Sequence, residues 1–179
     1  QALRKGISYR ITEGPNNIDA FIDIYYSTMK RDSADEFYYF GKDYFDMLIN
    51  ALKENVLFVE AIYEEKTIAA GLYLISDGII HTHLSGTLSE YLYLSPAYIL
   101  RYAATLWGKE HGYCLVHHGG GTSSDKENSL FKFKKQFAKN TEFPFYIGKK
   151  IWNDDVYRKL CNMNPNCKDS VFFPKYRAK

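Results

Sequence analysis

The alternation of apolar and polar residues in "GISYRI" predicts a first strand over residues 7–12. The turn "GPNN" follows, and the period then changes. Ile18, Phe21, Ile22, Ile24, Tyr25 and Met29 recur mostly at helical spacing, which predicts a helix over 18–29. A loop around 31–37 leads to a second amphipathic helix over 42–53, with Tyr44, Phe45, Leu48, Ile49 and Leu52 on one side. Three apolar runs come next, over 56–63, 67–75 and 79–84. Their connections, "EEK" and "SDG", are short enough to impose antiparallel pairing. Pro96 opens a long helix to about residue 111, with Ser95 as N-cap and Gly112 at its C-terminal end. The strand over 113–117 is reached through that crossover, so it pairs in parallel. A short helix over 130–137, a strand over 143–152 and a helix over 154–163 complete the pattern, and the tail is irregular. The expected fold class is α/β (α+β): a mixed, mostly antiparallel sheet with one parallel pair, flanked by helices, in a single domain over residues 1–179.

Composition adds limits. Of the 179 residues 46% are hydrophobic and 25% charged, which suits a soluble globular domain with a real core. The net charge of +2 does not predict wholesale nucleic-acid binding. Lysines do cluster locally, at Lys132, Lys134, Lys135 and Lys139, at Lys149 and Lys150, and at Lys175 with Arg177 and Lys179. The three cysteines, Cys114, Cys161 and Cys167, have no CxxC spacing. That argues against a disulfide framework and for a reducing, cytoplasmic setting. Cys114 reads as core; a disulfide between Cys161 and Cys167 stays open. No apolar run of membrane-spanning length occurs, and no stretch reads as a signal peptide.

The candidate chemistry gathers in "HHGGGTSSDKENSLFKFKKQF", His117 to Phe137. Gly119, Gly120 and Gly121 follow the parallel strand, where open sheets receive ligands, and they let a ligand approach the backbone closely. An ordinary strand-to-loop exit would use the same residues. Leu130, Phe133 and Phe137 share a helical face, with Lys134 beside Phe133. Lys134 is then either a solvated lysine over a core phenylalanine or a fixed ammonium for a developing oxyanion. His81 and His83, two apart on a strand, face one side, near His117 and His118. They read as packing histidines or a general base for an amine nucleophile. No carboxylate or cysteine completes a metal set, so no metal is expected.

The element order resembles the Gcn5-related N-acetyltransferase (GNAT) fold, in which the parallel pair splays and the acyl donor lies in the gap. Four stretches further resemble the Fem (FemABX) family of peptidoglycan-bridge aminoacyltransferases and its GNAT-like relatives, at its C-terminal domain. They are "MKRDSADEFYYFGKDYFDML", "AAGLYLISDGIIHTHLSGTLSEYLYLSPAYILRYAATLWGKEHGY", "HHGGG…SLFKFKKQF" and "FYIGKKIWNDDVYRKL". Gln136 departs from the glycine that the family often carries there. The opening "QALRKGISYRI" resembles the linker and strand that begin the second of two Fem domains, which implies an N-terminal GNAT-like half, missing from this sequence or lost in evolution.

The resemblance implies an acyltransferase acting on an amine of a cell-wall precursor or similar acceptor, small or lipid-linked. It implies Lys134 as the catalytic residue with Phe133 beside it, and the expected substrate-binding residues are Phe133, Gly119, Gly120, Gly121, His118 and His83. CoA-dependent GNAT enzymes carry a Q/R-x-x-G-x-G/A loop after the third meander strand. Here "SGTLSEYLYLSPAY", residues 85–98, has one glycine, no basic residue and the acidic Glu90. That disfavours acetyl-CoA and fits an aminoacyl-tRNA donor, with tRNA as a partner and no bound cofactor. Two alternatives remain at this point: an acetyl-CoA-dependent N-acetyltransferase, and a non-catalytic GNAT-like binding domain.

Overall fold

The computed structural model describes residues 2–121, 125–137 and 141–178. By its contacts the chain forms two compact units, residues 1–139 and 140–179.

The first unit is built on five strands: β1 (Ser8–Glu13), β2 (Val56–Tyr63), β3 (Lys66–Ser76), β4 (Ile79–Thr87) and β5 (Leu115–His117). They lie side by side in sequence order, antiparallel except for the parallel β4–β5 pair. The tight turns leave no other solution for β2–β3–β4. Glu64, Glu65, Asp77 and Gly78 take positive φ to make them. The parallel pair follows from the crossover through α3 (Pro96–Glu110). Helices α1 (Asp19–Arg31) and α2 (Lys42–Leu52) bury Phe21, Ile24, Tyr25, Phe45 and Leu48 against Val56, Phe58 and Leu72. Helix α3 buries Ile99, Leu100, Ala103 and Ala104 with Leu57, Val59, Tyr73 and Ile80. The sheet is thus a middle layer whose successive residues feed two cores. A short helix, α4 (Ser129–Lys135), closes the unit; Asn128 caps it by accepting from the Phe131 N–H at 3.1 Å.

The second unit holds α5 (Asp154–Asn162), started by Asn153 accepting from the Val156 N–H at 3.0 Å. Tyr157 stacks on Phe173 with centroids 6.2 Å apart. Cys114, Cys161 and Cys167 are all free thiols.

Four expectations need correction. Residues 143–152 form no strand: the second unit offers no other strand among its described residues, Pro144 lacks a backbone donor, and Phe143, Phe145, Tyr146, Ile147 and Trp152 are exposed. The strand placed over 113–117 shrinks to three residues at the sheet edge, so Cys114 is exposed rather than core. Strand β4 runs to Thr87 rather than stopping at Leu84, so the following connection begins later. Ser95 precedes α3 but makes no side-chain capping bond. Among the described residues, no helix is long and apolar enough to cross a membrane.

Candidate functional site

Strand β5 pairs with β4 only over Ile79–His81, whereas β4 continues six residues further. The two strands therefore part after His117, where the Thr82 hydroxyl donates to the His117 carbonyl at 3.3 Å. A cleft of about 340 Å³ opens along the freed edge of β4, lined by α1, β4, the start of α3 and α4. The Thr87 N–H donates to Thr28 Oγ1 at 2.9 Å, and the Thr87 carbonyl accepts from Arg31 at 2.7 Å; both point away from β3. By strand alternation, the Ser85 N–H and C=O turn the same way, into the cleft. A second cavity of about 310 Å³ lies beside β1. There the Arg10 guanidinium grips the Glu60 carboxylate at 2.6 and 2.9 Å, so the charges that line it cancel.

The glycine run ends β5 and carries the chain to α4. Gly119 has φ +67°, and a Cβ on Gly121 would come within 2.7 Å of Asn128 Oδ1, the cap of α4. The two glycines thus serve the turn and the helix cap. Lys134 reaches back from α4 and donates to the Gly120 carbonyl at 2.6 Å. It is a cleft-lining residue and partly buried. Burial first, and then Arg101, hold its pKa below the ordinary lysine value.

Phe133 does not line the cleft. It packs edge-on to Tyr98 at 5.1 Å and lies under the Arg101 guanidinium at 5.6 Å. His118 is buried, and its Nδ1 lies 3.4 Å from Arg101 Nη1. Burial, then Arg101, Lys134 and His117, drive its pKa down to about 4, so the ring is neutral and accepts from the guanidinium. His83 does line the cleft. Its Nε2 lies 2.9 Å from the Tyr44 hydroxyl, and burial lowers its pKa. His81 turns instead to His117, Nδ1 to Nδ1 at 3.4 Å. Of the four histidines, His81 and His117 thus meet, while His83 and His118 go to separate partners. A bulge between Thr82 and Leu84 leaves His83 without a partner residue on β3. Among the described residues no group of three or more His, Cys, Asp or Glu could hold a metal.

Sequence reading missed Arg101, Tyr73 and Arg31, which all line the cleft. Arg101 carried a legible signal: it occupies the same helical face as Ala97, Ala104 and Gly108, a charge among core-facing small residues. Tyr73 reads as one more aromatic in a buried strand, and nothing in its spacing sets it apart. Its hydroxyl is deeply buried, which pushes its pKa up to about 12, and it remains a donor.

The β4–α3 connection folds as a 3-10 turn, Ser89–Leu94. Three backbone donors of this segment turn inward: Tyr91 N–H to Leu88 O at 3.1 Å, Ser95 N–H to Leu92 O at 2.9 Å, Tyr98 N–H to Ser95 O at 3.2 Å. Glu90 pairs with Lys66 at 3.5 Å.

The family model described as acetyltransferase (GNAT) domain matches residues 1–134. No curated protein matches the chain. Several solved structures are similar in fold. One is an aminoglycoside acetyltransferase from an uncultured soil metagenomic sample, in complex with sisomicin. It has a TM-score of 0.60 at 12% identity, over 83% of this chain and 97% of that one. The ribosomal-protein-alanine N-acetyltransferase from Brucella melitensis biovar Abortus 2308 gives 0.55 at 8% identity, over 80% and 99%. The aminoglycoside N-acetyltransferase AAC(6')-Iy, in complex with CoA, gives 0.54 at 11% identity, over 82% and 95%. At these identities the likeness is one of fold.

Proposed function

The chain belongs to the acetyltransferase (GNAT) domain family, its reaction class is acyl transfer, and on that premise we propose that it moves an aminoacyl or acyl group from an activated ester to an amine in the manner of the Fem enzymes. The acceptor is an amine of a cell-wall precursor or a chemically similar molecule, and the ester is carried by tRNA. The observation that carries this reading is Lys134, held by Gly120 at the wall of the splayed cleft. Its ammonium has three donors, of which the Gly120 carbonyl takes one. A second is free for the carbonyl oxygen of the ester.

The amine attacks that carbonyl and the C–N bond forms. The oxygen becomes an oxyanion that Lys134 stabilises, and the Ser85 N–H on the freed edge of β4 can add a second donor. The C–O bond then breaks, and the leaving hydroxyl takes the proton that the amine loses. His83, neutral at neutral pH and on the cleft wall, is placed to relay it. Donor choice is supported by the β4–α3 connection, whose inward-turned N–H groups leave little for a pyrophosphate.

The test compares aminoacyl transfer by Lys134→Met, Lys132→Met and Lys135→Met, with Tm measured alongside. Loss of one charged oxyanion donor costs about 3 kcal/mol, roughly a hundredfold in rate. Lys132 pairs with Glu127 and Lys135 lies over the Phe131 ring at 5.8 Å, so both should transfer at near-normal rates. Near-normal transfer by Lys134→Met, or an equal fall in all three, removes Lys134 from the chemistry.

A further inference from the structure

Arg101 stands in the cleft wall without a counter-charge. It is 6% exposed, its Nε has no hydrogen-bond partner, and none of the ion pairs among the described residues includes it. The aromatic face of Phe133 covers the guanidinium, and the ring nitrogen of His118 occupies its Nη1 corner. What remains is the Nε side of the fork. Tyr73, 1% exposed, lines the same cleft, and its hydroxyl is likewise unpartnered.

A guanidinium keeps its charge in any protein setting. Buried donors are ordinarily matched, and buried charges are ordinarily paired. Two unmatched donors at one cavity wall, one of them permanently cationic, describe a receptor for a group that only accepts and is negatively charged. The other charges on the cleft wall agree. Lys134 adds a cation. Arg31 is engaged by Thr87 and by Asp32, and Asp32 in turn is occupied by Arg31 at 2.9 Å. Among the described residues lining the cleft, no carboxylate is left over to neutralise Arg101.

We propose that Arg101 and Tyr73 form a subsite for an oxyanion, a carboxylate or a phosphoryl group, carried by the acyl acceptor. This rests on the reading of the cleft as the acyl-transfer site. The unpartnered Nε edge suits two parallel N–H···O bonds to a group that reaches it, and the Tyr73 hydroxyl supplies a third donor. The acceptor is thereby an amine that bears negative charge at a second position. A polycation such as sisomicin, bound by the structurally similar soil enzyme, would meet Arg101 and Lys134 as like charges.

The test is calorimetry and thermal melting of the full 179-residue chain at fixed ionic strength. The probes are N-acetyl-alanyl-alanine, its C-terminal amide, inorganic phosphate and sisomicin. The acid or phosphate is expected to bind and raise Tm, and the amide and sisomicin to do neither. A response to the acid assigns a carboxylate, and a response to phosphate alone assigns a phosphoryl group. Arg101→Met should weaken the binding probe roughly 30-fold or more, the usual loss when one partner of a buried charge pair is truncated. Without ligand, Arg101→Met should melt no lower than the parent, because an apolar stem replaces an unpaired buried charge. Tyr73→Phe should weaken binding about fivefold, and it carries the same test if Arg101→Met fails to fold. Equal responses to acid and amide, no response to acid or phosphate, or undiminished binding by both variants overturns the subsite. Binding needs no acyl donor, so a chain that binds the acid yet transfers nothing overturns the reaction and leaves the subsite standing.

Discussion

His118 is buried between three positive or potentially positive groups, Arg101, Lys134 and His117, and this fixes its protonation. Its pKa falls from 6.5 to about 4 on folding. Over that interval the unfolded chain binds more protons than the folded one, so stability rises with pH. The contribution is complete above pH 6.5 and is lost as pH falls toward 4; the shift corresponds to about 3 kcal/mol. The parent should therefore lose that much more stability than His118→Gln between pH 7 and pH 4, as read by urea denaturation at each pH. Parallel curves would mean that the ring stays hydrated and is not held neutral. Sequence alone named His118 but not its setting, because Arg101 comes from seventeen positions earlier and a helix away. The placement of Lys134 on the cleft wall was legible, since a lysine beside an apolar-faced phenylalanine after a glycine turn has a defined direction. Its bond to Gly120 was not, because a carbonyl's direction depends on the φ values of the glycines themselves. Tyr73 was illegible for a simpler reason: one hydroxyl in a buried strand changes no pattern.

At the scale of elements, the cleft exists because α1 lies directly on β4 where β5 has ended. Gly86 makes that approach. A Cβ there would sit 2.8 Å from the Ile24 carbonyl oxygen and 2.9 Å from Thr28 Oγ1, both on α1. Backbone, not a pliant side chain, is the nearest obstacle, so α1 would have to move. Gly86→Ala should cost about 2 kcal/mol, as overpacking of a tight contact does, and should disturb the Thr28–Thr87 bond at the cleft wall. Chemical denaturation measures the first effect and amide exchange at Thr87 the second; a fully stable variant with unchanged exchange would show that the helix does not press on the strand there. The helices and the β2–β3–β4 meander were legible in the sequence within about three residues, because their period, turn length and N-terminal proline are local facts. The failures at 113–117 and 143–152 have a common cause. An apolar run meets the strand pattern, but a strand exists only where a neighbour supplies its ladder, and β5 has a partner for three residues only.

For the molecule as a whole, the question is which donor this GNAT-family frame accepts. Affinity for the CoA pyrophosphate would have to come from a local nest of backbone N–H groups with basic side chains. In the first unit the β4–α3 connection occupies that position. Its 3-10 turn spends the N–H groups of Tyr91, Ser95 and Tyr98 on internal carbonyls, and Pro96 contributes none. Glu90 pairs with Lys66 at 3.5 Å and would repel a phosphate, and Lys5 already donates to the Tyr93 carbonyl at 2.9 Å. A pyrophosphate arriving there would compete with these bonds, which reduces the gain from binding it. Acetyl-CoA should therefore bind weakly or not at all by calorimetry. Glu90→Lys should improve it little, since reversing one charge does not free the backbone. A dissociation constant in the low micromolar range for the parent chain would reverse this conclusion and make an acetyl thioester the donor.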